Sequence, residues 1–217
     1  MKPVLALDAD GVLVDFDNPA LDYLRSRGIN KTYEEITDWS VFDGDMDMEM
    51  DFRRDVAGKP GFCENMEPLP GAIEFVRAAR EHYHVMIVTA PYDVPHWFEG
   101  RRDWCVKNLG VSRKDVCFLS QKEFFDSDIL VDDKDENVIK WHLRHPKRLA
   151  IVKDQPWNRD KQFPSAVRRA TTWESLSAAL EGHGFPAVRG NFSFTTVQDG
   201  CRSAFRRTLA TVAPGPV

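Results

Sequence analysis

The sequence lacks the features that mark membrane, extracellular or nucleic-acid-coating proteins. It has no apolar run of about 18 residues, so we expect no transmembrane helix and no membrane partner. Its four cysteines form no Cys-x-x-Cys pair, and the N-terminal apolar run ends at Asp8, too early for a signal peptide. Both features favour a cytoplasmic protein with reduced thiols. The net charge of −5 argues against a stable nucleic-acid partner, although a pocket can be locally positive and bind a small phosphorylated ligand.

Short apolar runs alternate with helical patterns along the chain. The runs cover residues 4–7, 85–88, 129–131 and 149–152. Such runs, apolar at every position, are typical of strands buried on both faces of a parallel sheet. Helical periodicity precedes the later runs, as in residues 72–80 and 97–109. The sequence therefore predicts an α/β protein with a Rossmann-like parallel-sheet core.

One stretch after the first strand breaks this alternation. It contains no convincing β-run, and Thr32 and Glu35 have the spacing of a helix capping box. Proline and glycine at residues 68–71 mark a return to the core. We predict that a small helical cap, residues 17–66, is inserted into a core of residues 1–16 and 67–184, with a C-terminal extension at 185–217 to which we assign neither order nor function.

Two carboxylates follow the first predicted strand. Asp8 and Asp10 flank Ala9, and Gly11 permits the turn that aims both side chains at the crevice beyond the strand ends. Neighbouring carboxylates repel each other unless a cation lies between them, and oxygen ligands suit Mg²⁺. Alone, this pattern is more typical of a surface turn than of a cation site.

Three further polar motifs follow later strands. Thr89 and Ala90 come after the second run, where a hydroxyl and backbone N–H groups can bind an anion. Lys122 precedes Asp132 by ten positions, and Asp132 is followed by Asp133 directly after an apolar strand. Singly, these are a turn residue, a surface lysine and a helix cap. Together they point to one edge of the sheet.

The ordered set of aspartate pair, threonine, lysine and aspartate pair resembles the four motifs of the haloacid dehalogenase-like (HAD) phosphohydrolase superfamily. The resemblance spans residues 3–160, and within the superfamily the chain is most similar to the 5′(3′)-deoxyribonucleotidases. Segments 7–16, 59–62, 68–72 and 155–158 carry that similarity. One departure is Thr89-Ala90-Pro91, where those nucleotidases usually have Thr-Ser-Pro, so that one hydroxyl near the phosphate is missing.

This resemblance implies a hydrolase of phosphate monoesters that forms an aspartyl-phosphate. Asp8 would be the nucleophile, and Asp10 the general acid and base. Mg²⁺ would be held directly by Asp8, the Asp10 carbonyl and Asp132, and Asp133 would bind it through water or hold one of the direct ligands in place. Thr89, the Ala90 N–H and Lys122 would bind the phosphate.

The same resemblance implies a nucleoside monophosphate as substrate, with aromatic residues of the cap stacking on its base. The candidates are Phe16, Trp39, Phe42 and Phe62. Each of these could instead belong to the core of a small helical subdomain. Two other functions stay open, a phosphatase for a sugar phosphate or a nucleic-acid 3′-phosphate, and a non-catalytic nucleotide-binding protein. By resemblance, the chain could form a homodimer.

Overall fold

A six-stranded, wholly parallel β-sheet forms the centre of the computed structural model, which describes residues 1–192. The strands are β1 (Val4–Leu7), β2 (His84–Thr89), β3 (Val116–Phe118), β4 (Ile129–Asp132), β5 (Leu149–Lys153) and β6 (Arg168–Ala170). Their order is β3-β2-β1-β4-β5-β6, so that β1 lies between β2 and β4. The predicted α/β class and parallel sheet are confirmed.

Helices connect the strands and cover the sheet. They are α1 (Asp17–Ser26), α2 (Met46–Phe52), α3 (Ala72–His82), α4 (Trp97–Trp104), α5 (Asp135–Arg144) and α6 (Trp173–Glu181). A π-helical turn continues α4 to Leu109, and Gly110 ends it in the left-handed conformation at φ 65°. A glycine is favoured there because it has no Cβ to clash.

Alternate residues of the strands supply two hydrophobic cores. Leu5 and Leu7 face the larger core, which includes Phe75 and Trp104, while Ala6 faces the smaller one. All of these side chains are fully buried. Burial on both faces is what the continuous apolar runs predict for central parallel strands.

Strands β3 and β6 are not among the predicted strands, although the residues of β3, Val116-Cys117-Phe118, are all apolar. Both have only three residues, and β6 is Arg168-Arg169-Ala170. They lie at the two edges of the sheet, where each strand has a neighbouring strand on one side only and short strands are common. Hydrophobic patterning therefore predicts the four inner strands and misses the two edges.

The stretch from 17 to 66 is helical, with α1, α2 and several single turns, and no strand is assigned within it. The Thr32–Glu35 capping box exists, but it opens only a 3₁₀ turn, Tyr33–Glu35. The division into core and cap stays a prediction. Of the predicted C-terminal extension, Val188 and Phe192 are buried in the core, and residues 193–217 lie outside the described residues. Within residues 1–192, no helix has both the length and the apolar composition to span a bilayer.

Candidate active site

The strand order brings three of the sequence motifs to one edge of the sheet. Thr89 ends β2, Asp8 follows β1, and Asp132 ends β4. Since β1 pairs with both β2 and β4, these residues are neighbours. The chain leaves β1 toward β2 on one side and later returns to β4 on the other, and such a switch point opens a crevice at the strand ends.

Lys122 joins two of the carboxylates. Its Nζ lies 2.7 Å from Asp8 Oδ1 and 2.6 Å from Asp132 Oδ2. Only 1% of the Lys122 side chain is exposed, and Asp132 is fully buried. Burial lowers the pKa of a lysine, but the two carboxylates outweigh it and raise the pKa of Lys122, which keeps the ammonium charged. The motifs are therefore coupled by ionic contact.

The Asp8 carboxyl combines burial with a single cationic partner. Burial raises its pKa to about 7, with Lys122 opposing that rise and Asp132 adding to it. The Ala9 N–H donates to Oδ1, the same oxygen that Lys122 contacts. Within residues 1–192 no hydrogen bond reaches Oδ2. That oxygen is therefore the one left to react or to bind a cation.

Gly11 makes room for the second aspartate of the last motif. Its φ is +70°, and a Cβ at this position would lie 2.3 Å from Asp133 Oδ2. A side chain would therefore both strain the backbone and displace the Asp133 carboxylate. Because residue 11 is a glycine, the loop after β1 can approach Asp133 closely.

Asp132 and Asp133 differ in the number of hydrogen bonds that their carboxylates accept. Asp132 accepts hydrogen bonds from the Lys134 N–H at 2.8 Å and from Asn137 Nδ2 at 3.1 and 3.3 Å, besides the contact with Lys122. Asp133 Oδ1 is buried with no hydrogen-bond partner within the described chain. Burial, and then the charge of Asp132, raise the pKa of Asp133 well above its ordinary value.

These carboxylates fit a divalent cation. Asp8, Asp132 and Asp133 each place an oxygen so that all three atoms lie within 4.8 Å of one another, and all three residues are buried. When ionised, the three carboxylates carry three negative charges, which Lys122 beside Asp8 and Asp132 and Lys153 near Asp133 do not fully compensate. A hard cation that prefers oxygen ligands, such as Mg²⁺, would reduce that repulsion and would give the unpartnered Asp133 oxygen a partner.

Asp10 is held by a residue that the sequence analysis does not assign to the site. The Arg101 guanidinium on α4 contacts Asp10 Oδ1, and the Arg101 side chain has no exposed surface. Burial raises the pKa of Asp10, and Arg101 opposes that rise. The signal in the sequence is an arginine on the apolar stripe of α4, between Trp97 and Trp104.

Two residues outside the four motifs donate hydrogen bonds to the loops that follow β1 and β4. Gln155 Nε2 donates to the Gly11 carbonyl at 2.5 Å, and Asn158 Nδ2 donates to the Asp133 carbonyl at 2.8 Å. Both lie in the 155–158 segment that carries part of the sequence resemblance. Buried amides of this kind fix the backbone that presents Asp133.

A cavity of about 130 Å³ opens over these residues. Asp8, Asp10 and Asp133 line it, together with Thr89 and Ala90. The Thr89 side chain is buried, and within residues 1–192 its hydroxyl makes only a long contact of 3.4 Å, to the Ala90 carbonyl. The hydroxyl can therefore turn toward an anion in the cavity.

Three of the four candidate aromatic residues line the same cavity. Phe16 and Phe42 lie in its wall, and Trp39 is half exposed at its edge, where Lys134 Nζ lies 3.8 Å from the ring centroid. Phe62 does not line the cavity. It packs in the hydrophobic core with Trp97 and Phe52, at ring-centroid distances of 6.5 and 6.0 Å, because the loop after α2 turns it inward.

Asp17 adds an acidic group to the cavity wall. It lies in the first turn of α1 and is 8% exposed. Burial, and then the charges of Asp15 and Asp10, raise its pKa to about 8. Near neutral pH this carboxyl is therefore largely protonated and can donate a hydrogen bond.

The chain is similar to a family of nucleotidases and to individual proteins named after that activity. The model of the family described as "5' nucleotidase, deoxy (Pyrimidine), cytosolic type C protein" matches residues 2–180. A protein of Bordetella bronchiseptica, named "Putative 5'(3')-deoxyribonucleotidase", is 29% identical over 185 residues, which are 82% of this chain and 96% of that protein. A protein of the same name from Staphylococcus epidermidis is 32% identical over 80 residues, 36% of this chain, and the match spans only 45% of its length.

The fold is also similar to that of solved HAD hydrolases. A HAD family hydrolase from Deinococcus radiodurans, solved with bound phosphate and sodium, aligns with a TM-score of 0.53 at 16% identity. The alignment covers 84% of this chain and 96% of that one. The expected HAD-like fold is confirmed.

Proposed function

Because the chain belongs to the family of cytosolic type C 5′ deoxynucleotidases within the HAD superfamily, we propose that it is a magnesium-dependent phosphatase that hydrolyses deoxynucleoside monophosphates. The observation that carries the proposal is the cluster of Asp8, Asp132 and Asp133 around Lys122 at the end of the central strands. A nucleophilic carboxylate beside a fixed ammonium and a cation site is suited to phosphoryl transfer.

In the first step, Asp8 attacks phosphorus. Its Oδ2 forms the new bond, while Lys122 and the Ala9 N–H hold Oδ1 and so fix the carboxylate plane. The bond from phosphorus to the leaving oxygen breaks, and Asp10 gives that oxygen a proton. An aspartyl-phosphate and a free nucleoside result.

In the second step, water attacks the phosphorus of the aspartyl-phosphate. Asp10, now ionised, accepts a proton from that water, and the bond to Asp8 breaks to release inorganic phosphate. The charge that spreads over the transferring oxygens is met by the Thr89 hydroxyl and the Ala90 N–H, which line the cavity, and by the field of Lys122, which does not line the cavity but contacts Asp8. The alanine supplies only its backbone, so this chain has one hydroxyl fewer for that task than the usual Thr-Ser-Pro motif.

Asp8, the Asp10 carbonyl and Asp133 would hold the magnesium ion, with Asp132 acting mainly on Lys122. The sequence resemblance implies the opposite assignment, with Asp132 as the direct ligand and Asp133 as the indirect one. The reason for assigning Asp133 instead is that Asp132 is already saturated by Lys122, Asn137 and a backbone N–H, whereas Asp133 Oδ1 has no partner within the described chain. When bound, the cation neutralises the repulsion between the carboxylates and the incoming phosphate.

The cavity wall supports a nucleoside as the leaving group. Phe16 and Phe42 offer aromatic surface, and Trp39 stands half exposed at the entrance. Stacking of a base on an aromatic ring contributes about 1–3 kcal/mol with little discrimination between bases.

The test is a panel of phosphate monoesters assayed with Mg²⁺ and with EDTA. We expect turnover of deoxynucleoside 5′- and 3′-monophosphates that EDTA abolishes, and far less turnover of sugar phosphates or of 3′-phosphorylated DNA. The variant Asp8→Asn should lose all activity while keeping its unfolding midpoint within a few degrees. Its matched control is Asp103→Asn, a carboxylate on α4 that is 60% exposed.

Each other outcome has a distinct meaning. Equal turnover in EDTA would remove the metal requirement, and wild-type turnover by Asp8→Asn would refute covalent catalysis. A preference for a sugar phosphate or a DNA 3′-phosphate would identify another HAD phosphatase. Binding of nucleotides without turnover of any monoester would favour a non-catalytic protein.

A further inference from the structure

Arg101 is a fully buried cation whose charged contact within residues 1–192 is with Asp10. It lies on α4, with its Cζ 4.8 Å from the centroid of the Trp97 ring and its Nη2 3.7 Å from Met66 Sδ. Nη2 also donates to Asp10 Oδ1. The Nε and Nη1 atoms are buried without a hydrogen-bond partner within the described chain.

Stability alone does not explain an arginine at this position. Removing a guanidinium from water is strongly unfavourable, and two of its three nitrogens recover nothing from hydrogen bonds within the described chain. A leucine or methionine would fill the space between Trp97 and Met66 without that cost. A cation supplies two things here that a leucine or methionine cannot, the contact with the face of the Trp97 ring and the ionic contact with Asp10, and only the second reaches a residue that lines the cavity.

That contact fixes one oxygen of Asp10 and leaves the other available. Within the described residues, the Asp10 side chain has no hydrogen bond except the one from Arg101, and it is 28% exposed toward the cavity that it lines. Arg101 itself does not line the cavity. An arginine behind the carboxylate therefore restricts its orientation from the side opposite to the substrate.

We propose that Arg101 is a positioning residue for proton transfer by Asp10. By holding Oδ1, it directs Oδ2 at the leaving-group oxygen in the first step and at the attacking water in the second. The inference rests on the proposed function, because it requires Asp10 to act as general acid and base. Arg101 touches neither the substrate nor the phosphate.

Its effect is then selective for substrates that need a proton. The alkoxide of a nucleoside is a poor leaving group and must be protonated, whereas p-nitrophenolate leaves without a proton. Positioned general acid catalysis contributes about 10²–10⁴-fold, and a misplacement of about 1 Å can cost about 10²-fold. Loss of Arg101 should therefore slow release of a nucleoside far more than release of p-nitrophenolate.

The experiment measures release of the leaving group in a single turnover with Mg²⁺ present, so that only the first step is observed. For Arg101→Met we expect the rate with a deoxynucleoside 5′-monophosphate to fall about 10²-fold, with a nearly unchanged half-saturating concentration. With p-nitrophenyl phosphate the rate should fall less than about threefold, since no proton is needed. Arg101→Lys should recover part of the lost rate.

Two further variants separate positioning from general damage. In an Asp10→Asn background, Arg101→Met should cost no more than about twofold, because the group that it positions no longer transfers a proton. The control Arg102→Met alters the next residue of α4, which is 35% exposed and pairs with Glu99, and should leave both rates unchanged.

The outcomes are exclusive. Equal rate losses for both substrates, or the same loss with and without Asp10→Asn, would show a merely structural role and overturn the inference. If Arg101→Met does not fold, the ratio of the two losses in Arg101→Lys decides in the same way. Absence of any monoester hydrolysis by the wild-type protein would instead refute the proposed function, and this inference with it.

Discussion

Replacing Lys122 by methionine should destabilise the protein strongly, because it leaves two buried carboxylates without their shared cation. The contacts of 2.7 Å to Asp8 and 2.6 Å to Asp132 are lost from a side chain that is 1% exposed. Breaking a buried ion pair by removing one partner costs about 3–5 kcal/mol. Asn137 still donates to Asp132, so we expect the lower half of that range.

The cost should also depend on pH. In the wild-type protein the pKa of Asp8 is about 7, and Lys122 is the group that lowers it. Without Lys122 that pKa rises, so the variant protein must either keep Asp8 protonated or bury an unpaired charge. The cost of the substitution should therefore grow above about pH 7, by at most about 1.4 kcal/mol per pH unit.

Urea unfolding at pH 6 and pH 8, without divalent cations, measures both effects. The matched control is Lys140→Met, which removes a pair with Glu136 whose side chains are 51% and 55% exposed. Such an exposed pair contributes little to stability, because solvent and salt screen it. Equal unfolding free energies for the two variants, or a cost for Lys122→Met that falls between pH 6 and pH 8, would refute the argument from the buried cluster.

Three other predictions follow from the same geometry. Gly11→Ala should raise the Mg²⁺ concentration for half-maximal activity about tenfold or more, because the new Cβ displaces Asp133. The control Gly28→Ala, at φ +85° with no atom within 4 Å of its Cβ, should change only stability, and equal Mg²⁺ titrations of the two variants would contradict the prediction. Asp17→Asn should stabilise the protein more at pH 8 than at pH 5, because the pKa of Asp17 is about 8 in the folded state and 3.8 in the unfolded state, so that folding of the wild-type protein becomes less favourable as the pH rises from about 4 to about 8. An equal increase in the free energy of urea unfolding at the two pH values would contradict this. Trp39→Ala should raise KM for a deoxynucleoside monophosphate about fivefold or more and leave KM for glycerol phosphate unchanged, and steady-state kinetics in which both shift equally would exclude stacking.

Much of the fold and the site can be read from the sequence. The inner strands are predicted because a strand buried on both faces must be apolar at every position. The polar residues that follow them, Asp8, Thr89 and Asp132, are predicted to meet because parallel strands end at the same edge of a sheet. This inference depends only on strand direction, and it therefore holds without knowledge of any side-chain contact.

Only the tertiary structure decided which side chains serve that edge. Arg101 reaches Asp10 across 91 positions of the chain, and the choice between Asp132 and Asp133 depends on where Lys122 points. Likewise, Phe62 packs into the core, although the other three candidate aromatic residues line the cavity. Contacts between distant segments depend on the packing angles of helices on the sheet and on side-chain directions, which local patterns of hydrophobicity do not encode.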